Sequence, residues 1–148
     1  MLIEEAMVAL LSANPRLTAQ IGTRLYPVTL PEYLQQEQGA AATKSYPAVL
    51  FALMAREREQ THNGPNPLVA SHFEIDVLSP SYSEAKQIAE SLRLALNGKA
   101  AALAGYYGRD VRGVYLDEER DDYEWDAVEH LSLFHVAQKF VIQHNEEV

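Results

Sequence analysis

Between residues 71 and 98 the spacing of apolar positions switches from two to an alternation of three and four. Phe73, Ile75 and Val77 alternate with His72, Glu74 and Asp76, which predicts a strand with one buried face. Pro80 has no backbone N–H for a ladder and closes that strand. Ser81 then precedes Glu84 in the S-x-x-E spacing, in which each side chain satisfies a free backbone N–H of a first helical turn. Ala85, Ile88, Ala89, Leu92, Ala95 and Leu96 follow on one stripe, with Lys86, Gln87, Glu90 and Arg93 off it. Gly98 supplies the left-handed residue that ends helices.

The remaining pattern is read around this strand and helix. Leu2, Ile3, Ala6, Met7, Leu10 and Leu11 predict a first helix, stopped by Asn14-Pro15. A helical turn ending at Gly22 and a brief extended piece, Arg24-Leu25-Tyr26, come next. Residues from about 28 to 45 are polar, rich in Gln and Ala and without period, which predicts a flexible or partner-ordered loop. The run AVLFALMA after Tyr46-Pro47 is apolar at both parities and predicts a strand covered on both faces, by its own domain or by a neighbouring subunit. The charged residues Arg56 to Gln60 and the turn-forming THNGPNP predict a hairpin arm projecting over about 55–68. KAAALAGYYG (99–108) reads as a small-residue linker and 111–116 as a further strand. The acidic run 117–129 reads as a hairpin tip, residues 131–142 as a last long strand, and HNEEV as a frayed tail. The order helix, hairpin, helix, hairpin predicts an α+β fold. It would be a two-layer sandwich whose mostly antiparallel sheet, built from two β-hairpins, carries helices on one face.

Composition narrows the picture. At 148 residues the chain is read as one domain spanning 1–148. The absence of cysteine excludes disulfides, thiolate metal sites and cysteine nucleophiles. The N-terminus carries Glu4 and Glu5 where a signal peptide carries Lys or Arg, and no apolar run approaches a membrane span, so a soluble intracellular protein is expected. Net charge is −9, of which residues 117–129 (eight acidic residues and one Arg) carry −7 and the remaining chain −2. The basic residues are scattered, which disfavours tight nucleic-acid binding.

Candidate chemistry is sparse. Glu74 and Asp76 share a strand face about 7 Å apart, a spacing that suits a two-carboxylate hydrolase, but the favoured reading is the polar face of a half-buried strand. His62, His72, His130, His135 and His144 make no metal-ligand spacing. A calcium loop starting at Asp117 would need Gly where Asp122 stands and Glu where Val128 stands. No nucleophile elbow, P-loop or dinucleotide fingerprint occurs, so neither enzymatic activity nor a cofactor is expected. The acidic run is either a solvated tip or a surface that repels polyanions or seeks a basic partner.

Taken together, the apolar N-terminal helix, RLYP (24–27), YPAVLF (46–51) leading into a charged hairpin, FEIDVLSPSYSEAKQIAESLRLAL (73–96), an acidic Asp/Tyr-rich segment and LSLFHVAQKFVI resemble the tail-completion proteins of long-tailed bacteriophages. These are also called tail terminator or tail-to-head joining proteins. The Gln/Ala loop 34–45 departs from the simplest pattern of that family. The resemblance implies a non-enzymatic virion protein, from a free phage or a prophage. It would form a hexameric ring that caps the tail tube and meets the head–tail connector protein, after waiting, as a monomer or otherwise, in the host cytoplasm. Its partners would be further copies of itself, the tail tube protein and the connector protein. DNA would pass without specific binding, and no membrane would be involved. Within that reading Arg56, Glu57, Arg58, Glu59, His72, Glu74 and Asp76 are candidate subunit contacts. Asp117, Glu118, Glu119, Asp121, Asp122 and Glu124 are a candidate acidic channel or rim surface. Another neck or head-completion component, or a small α+β ligand-binding or enzymatic domain, are the alternatives.

Overall fold

The computed structural model describes residues 1–28, 46–126 and 131–147, so most of the loop expected at about 28–45 lies outside the described residues. Its elements run α1 (Ile3–Ser12), α2 (Pro15–Ile21), β1 (Leu25–Pro27), β2 (Ala48–Thr61), β3 (Gly64–Ser79), α3 (Tyr82–Leu96), α4 (Ala100–Tyr107), β4 (Val111–Asp126) and β5 (Leu131–Asn145). The strands form one five-stranded sheet in the order β1-β2-β3-β5-β4, antiparallel except for the short parallel pair β1–β2. Two long hairpins, β2–β3 and β4–β5, are thus joined side by side through β3 and β5.

Register decides which residues face the helices. Phe73 lies opposite Phe140, Val77 opposite Val136 and Ser71 opposite Ile142, and these positions with Val49 and Val114 form one buried layer. The stripe of α3 (Ala85, Ile88, Ala89, Leu92 and Leu96) packs on that layer with Met7 and Leu11 of α1, Leu17 and Ile21 of α2, and Leu103 of α4. Burying each of the two phenylalanines contributes roughly 1.5–3 kcal/mol. The architecture is α+β in two layers, with the described helices on one face of a mostly antiparallel sheet.

Local chemistry explains the boundaries. Asn14 caps α2, its side chain accepting the N–H of Leu17 at 3.0 Å, and Pro15 stands at the first helical position, where its missing N–H costs nothing. Ser81 caps α3 by accepting the Glu84 N–H at 3.4 Å. At the β2–β3 turn Gly64 has φ +119°, a conformation that residues bearing a Cβ rarely adopt.

Three segments differ from the sequence expectation. Residues 100–107 are a helix, because Ala-rich sequence favours helix and Leu103 and Tyr107, four apart, both reach the core. The acidic segment is mostly strand, since β4 continues to Asp126 rather than ending near Leu116. An unbroken partner strand holds it there, and cross-strand pairs such as Lys139–Glu118 (3.3 Å) relieve repulsion between like charges. The C-terminal residues are tied down as well. Asn145 N–H donates to the Asp110 carbonyl at 2.9 Å, Glu146 N–H to the Pro67 carbonyl at 2.8 Å, and Arg58 pairs with Glu146.

Candidate interaction surfaces

The described helices pack on one side, and among the described residues the opposite face of the sheet carries rows of side chains with no helix above them. One row runs Ala52, Glu74, Lys139, Glu118, and the next runs Leu50, Asp76, Ala137, Arg120. Glu74 therefore sits between two cations, Lys139 beside it in the register and Arg120 at 3.5 Å. His72 meets Glu57 at 3.2 Å on the same face. Burial, and then the neighbouring Glu74, push the Asp76 carboxyl above its ordinary range, with His135 and Arg120 opposing. Glu57, His72, Glu74 and Asp76 are thus brought together.

Arg56 and Arg58 are not part of that group. β2 places Arg56 opposite Ser71, on the helix side, where its Nε donates to Ser71 Oγ at 2.8 Å and its terminal nitrogen to Glu4 Oε1 at 2.6 Å. Arg58 reaches Glu146, while Glu59 is exposed. The Asn145 carbonyl beside His144 Nδ1 can only accept, so Nδ1 carries the neutral ring's proton, and the Ser71 hydroxyl, which accepts from Arg56, donates to His144 Nε2, 2.8 Å away. The Nδ1 proton faces the Tyr107 hydroxyl at 3.2 Å and the Asn145 carbonyl at 3.3 Å. Tyr107 donates to that same carbonyl at 2.6 Å. Burial lowers the pKa of His144 and keeps it neutral, consistent with its acceptor role. Ser71 and His144 are buried, so this serine–histidine pair offers no accessible nucleophile. Sequence reasoning missed the network, although its signal was present: His144 continues the parity of Phe140 and Ile142.

The acidic residues divide between the two faces of β4. Glu118 pairs with Lys139 on the uncovered face, while Glu119 accepts from Gln138 Nε2 at 3.0 Å on the helix side. Asp121 accepts from Tyr82 at 2.6 Å and from Lys86 at 3.0 Å, and these two hydrogen bonds, Tyr82's first, hold its carboxyl below the usual range. Asp117 and Asp122 are exposed, and the side chain of Glu124 lies outside the described residues.

An apolar surface lies at the β2 edge. β1 ends opposite Phe51, and past that point Leu53 and Met54 are 40% and 61% exposed. Val8, Ala9, Pro27, Val28, Phe51 and Leu53 line a groove of about 650 Å³ between this edge and α1. The strand read as covered on both faces is thus open at its middle among the described residues. Also among the described residues, no cluster of His, Asp and Glu has the arrangement to hold a metal ion, and no helix is long and apolar enough to cross a membrane.

These features define a two-layer α+β protein whose sheet, among the described residues, has one face free of helices and an apolar edge. Its sequence matches the family model described as "Tail completion protein gp17" over residues 5–142, and the chain belongs to that family. It is accordingly a structural protein of bacteriophage tails. Among solved structures it is similar in fold to a chain from the "Virion of native gene transfer agent (GTA) particle", with TM-score 0.64 and 16% identity, covering 97% of this chain and 94% of that one. Comparison with curated proteins finds no match.

Proposed function

We propose that this protein caps the finished tail tube as a hexameric ring and joins the tail to the head connector, without enzymatic activity. The observation that carries the proposal is the family match across residues 5–142. The fold supports it in two ways. The open face and the β2 edge offer a neighbouring copy two different surfaces, and contact between unlike surfaces generates rings when the rotation closes. Glu57, His72, Glu74 and Asp76 supply polar contacts on the open face, and Leu53 and Met54 apolar ones at the edge. Arg56 and Arg58 serve the subunit's own fold instead.

In this reading the chain is one functional domain, held in the host cytoplasm before assembly and acting at the tail–head junction. Its partners are its own copies, the tail tube protein and the connector. The β2–β3 hairpin beyond Leu68, where β5 ends, reaches toward a neighbour as a two-stranded arm. Asp117, Glu118 and Asp122 face the channel or its rim, where negative charge repels phosphates and lets DNA slide without specific binding. Replacing Asp117, Glu118 and Asp122 with Asn or Gln tests the rim assignment by in vitro tail-to-head joining. Slowed DNA passage with intact rings is expected, and unchanged joining and DNA delivery would remove the role.

A further inference from the structure

β5 ends at Asn145, opposite Leu68, and past that point the β2–β3 hairpin runs on as two strands. The base of this arm is out of register. Arg58 lies opposite Val69 and Gln60 opposite Pro65, so Glu59 alone stands against Asn66, Pro67 and Leu68. An interruption of this kind bends a hairpin and increases its twist. The extra residues turn back locally, Asn66 Oδ1 accepting the Leu68 N–H at 3.0 Å, and Pro67 has no N–H to offer a ladder. The ladder is thus broken where the arm leaves the body.

Glu146 touches both strands at that break. Its backbone N–H donates to the Pro67 carbonyl of β3 at 2.8 Å. Its carboxylate takes two nitrogens of Arg58 on β2, Nε on Oε1 and Nη2 on Oε2, the latter at 3.1 Å. The residue before it is fixed to the body. The Asn145 N–H donates to the Asp110 carbonyl at 2.9 Å, and the Asn145 carbonyl accepts from buried Tyr107 at 2.6 Å. The hydrogen bond from Arg58 holds the Glu146 carboxyl below its usual range, so the pair stays charged at neutral pH.

We infer that Glu146 is a positioning residue, a clasp that fixes the direction of the β2–β3 arm relative to the sheet. A hold on one strand would leave the other to pivot at the break, whereas a hold on both moves them as a unit. The two-nitrogen grip sets orientation as well as distance. The Arg58 side chain is 53% exposed, and an exposed ion pair adds little to global stability, so the clasp acts on the arm and not on folding. Its use rests on the ring reading: an arm already aligned with the neighbouring copy loses less conformational freedom on assembly.

The test is a set of residual dipolar couplings from the full chain at neutral pH, comparing arm amides 60–64 and 66 with those of the body. The variants are Arg58→Glu, Glu146→Arg and the two together. In the wild type the arm couplings should fit the alignment of the body. Each single variant sets like charges against each other, and the arm couplings should collapse toward zero while body couplings and melting temperature stay nearly unchanged. The double variant restores an opposite pair and should bring the fit back. Arm couplings that fit the body equally well in both single variants, or that fail to fit in the wild type, would overturn the assignment. Tube capping by the same proteins separates the clasp from the ring reading. Capping should weaken in the single variants and return in the double one. Full capping by a single variant whose arm is freed would end the arm's role in assembly, and bare tubes with the wild type would contradict the ring while the couplings still decide the clasp.

Discussion

Ser71 Oγ and His144 Nε2 lie 2.8 Å apart inside the protein, bridging the middle of β3 to the end of β5. The pair extends outward through Arg56 to Glu4 of α1 and inward to Tyr107 of α4. One polar chain thus ties five elements (α1, β2, β3, α4 and β5) together at the end of the sheet where the C-terminal residues are anchored. A buried network of this kind is stabilising only while every member is satisfied.

That condition makes stability depend on pH. Burial lowers the His144 pKa below its ordinary value, so the unfolded chain binds this proton more readily than the folded one. Stability from this group is therefore complete above about pH 6.5 and declines as pH falls below that value toward the folded pKa. Urea unfolding between pH 7.5 and pH 5 should show that decline, and His144→Gln should flatten it. Equal slopes in the two proteins would exclude the network as the source.

Asp76 works in the opposite sense. Its raised pKa means the folded state binds the proton more readily, so stability from this group grows as pH falls through the folded value. At neutral pH the charge is a cost. Asp76→Asn should stabilise the isolated subunit at pH 7 by no more than about 1 kcal/mol, since solvent reaches the carboxyl. The gain should close below about pH 4. If Asp76 also contacts a neighbouring copy, the same variant should weaken assembly while raising the melting temperature.

The centre of the core is tested by Phe140, which faces Phe73 and is fully buried. Phe140→Ala should cost about 3–5 kcal/mol in urea unfolding, the range for emptying an aromatic site that cannot collapse. A loss below about 1 kcal/mol would mean that the two sheet halves are not packed through this contact.

The fold was legible wherever one physical signal dominated. Residues 71–98 showed their strand, cap and helix because alternation, a breaking proline and a capping serine all agreed. Residues 100–107 were misread because two glycines and a run of alanines look like a linker, and helix burial there depends only on Leu103 and Tyr107. The acidic strand was misread because charge outweighed alternation, when it is the long partner β5 that extends it. The candidate contacts divided for a related reason. Sequence order groups Arg56 with Glu57, but neighbouring strand residues face opposite ways, and only the register with Ser71 sends Arg56 toward the helices. The contacts of the Tyr82 and Tyr123 rings with Phe134 join three segments and have no local signature at all.

The central claim, that this protein closes the tail tube as a ring, is tested most directly by electron microscopy of purified tail tubes mixed with the protein. The account predicts a hexameric ring at one end of each tube and none along its wall. Tubes left bare at both ends, with the protein in excess and folded, would contradict it.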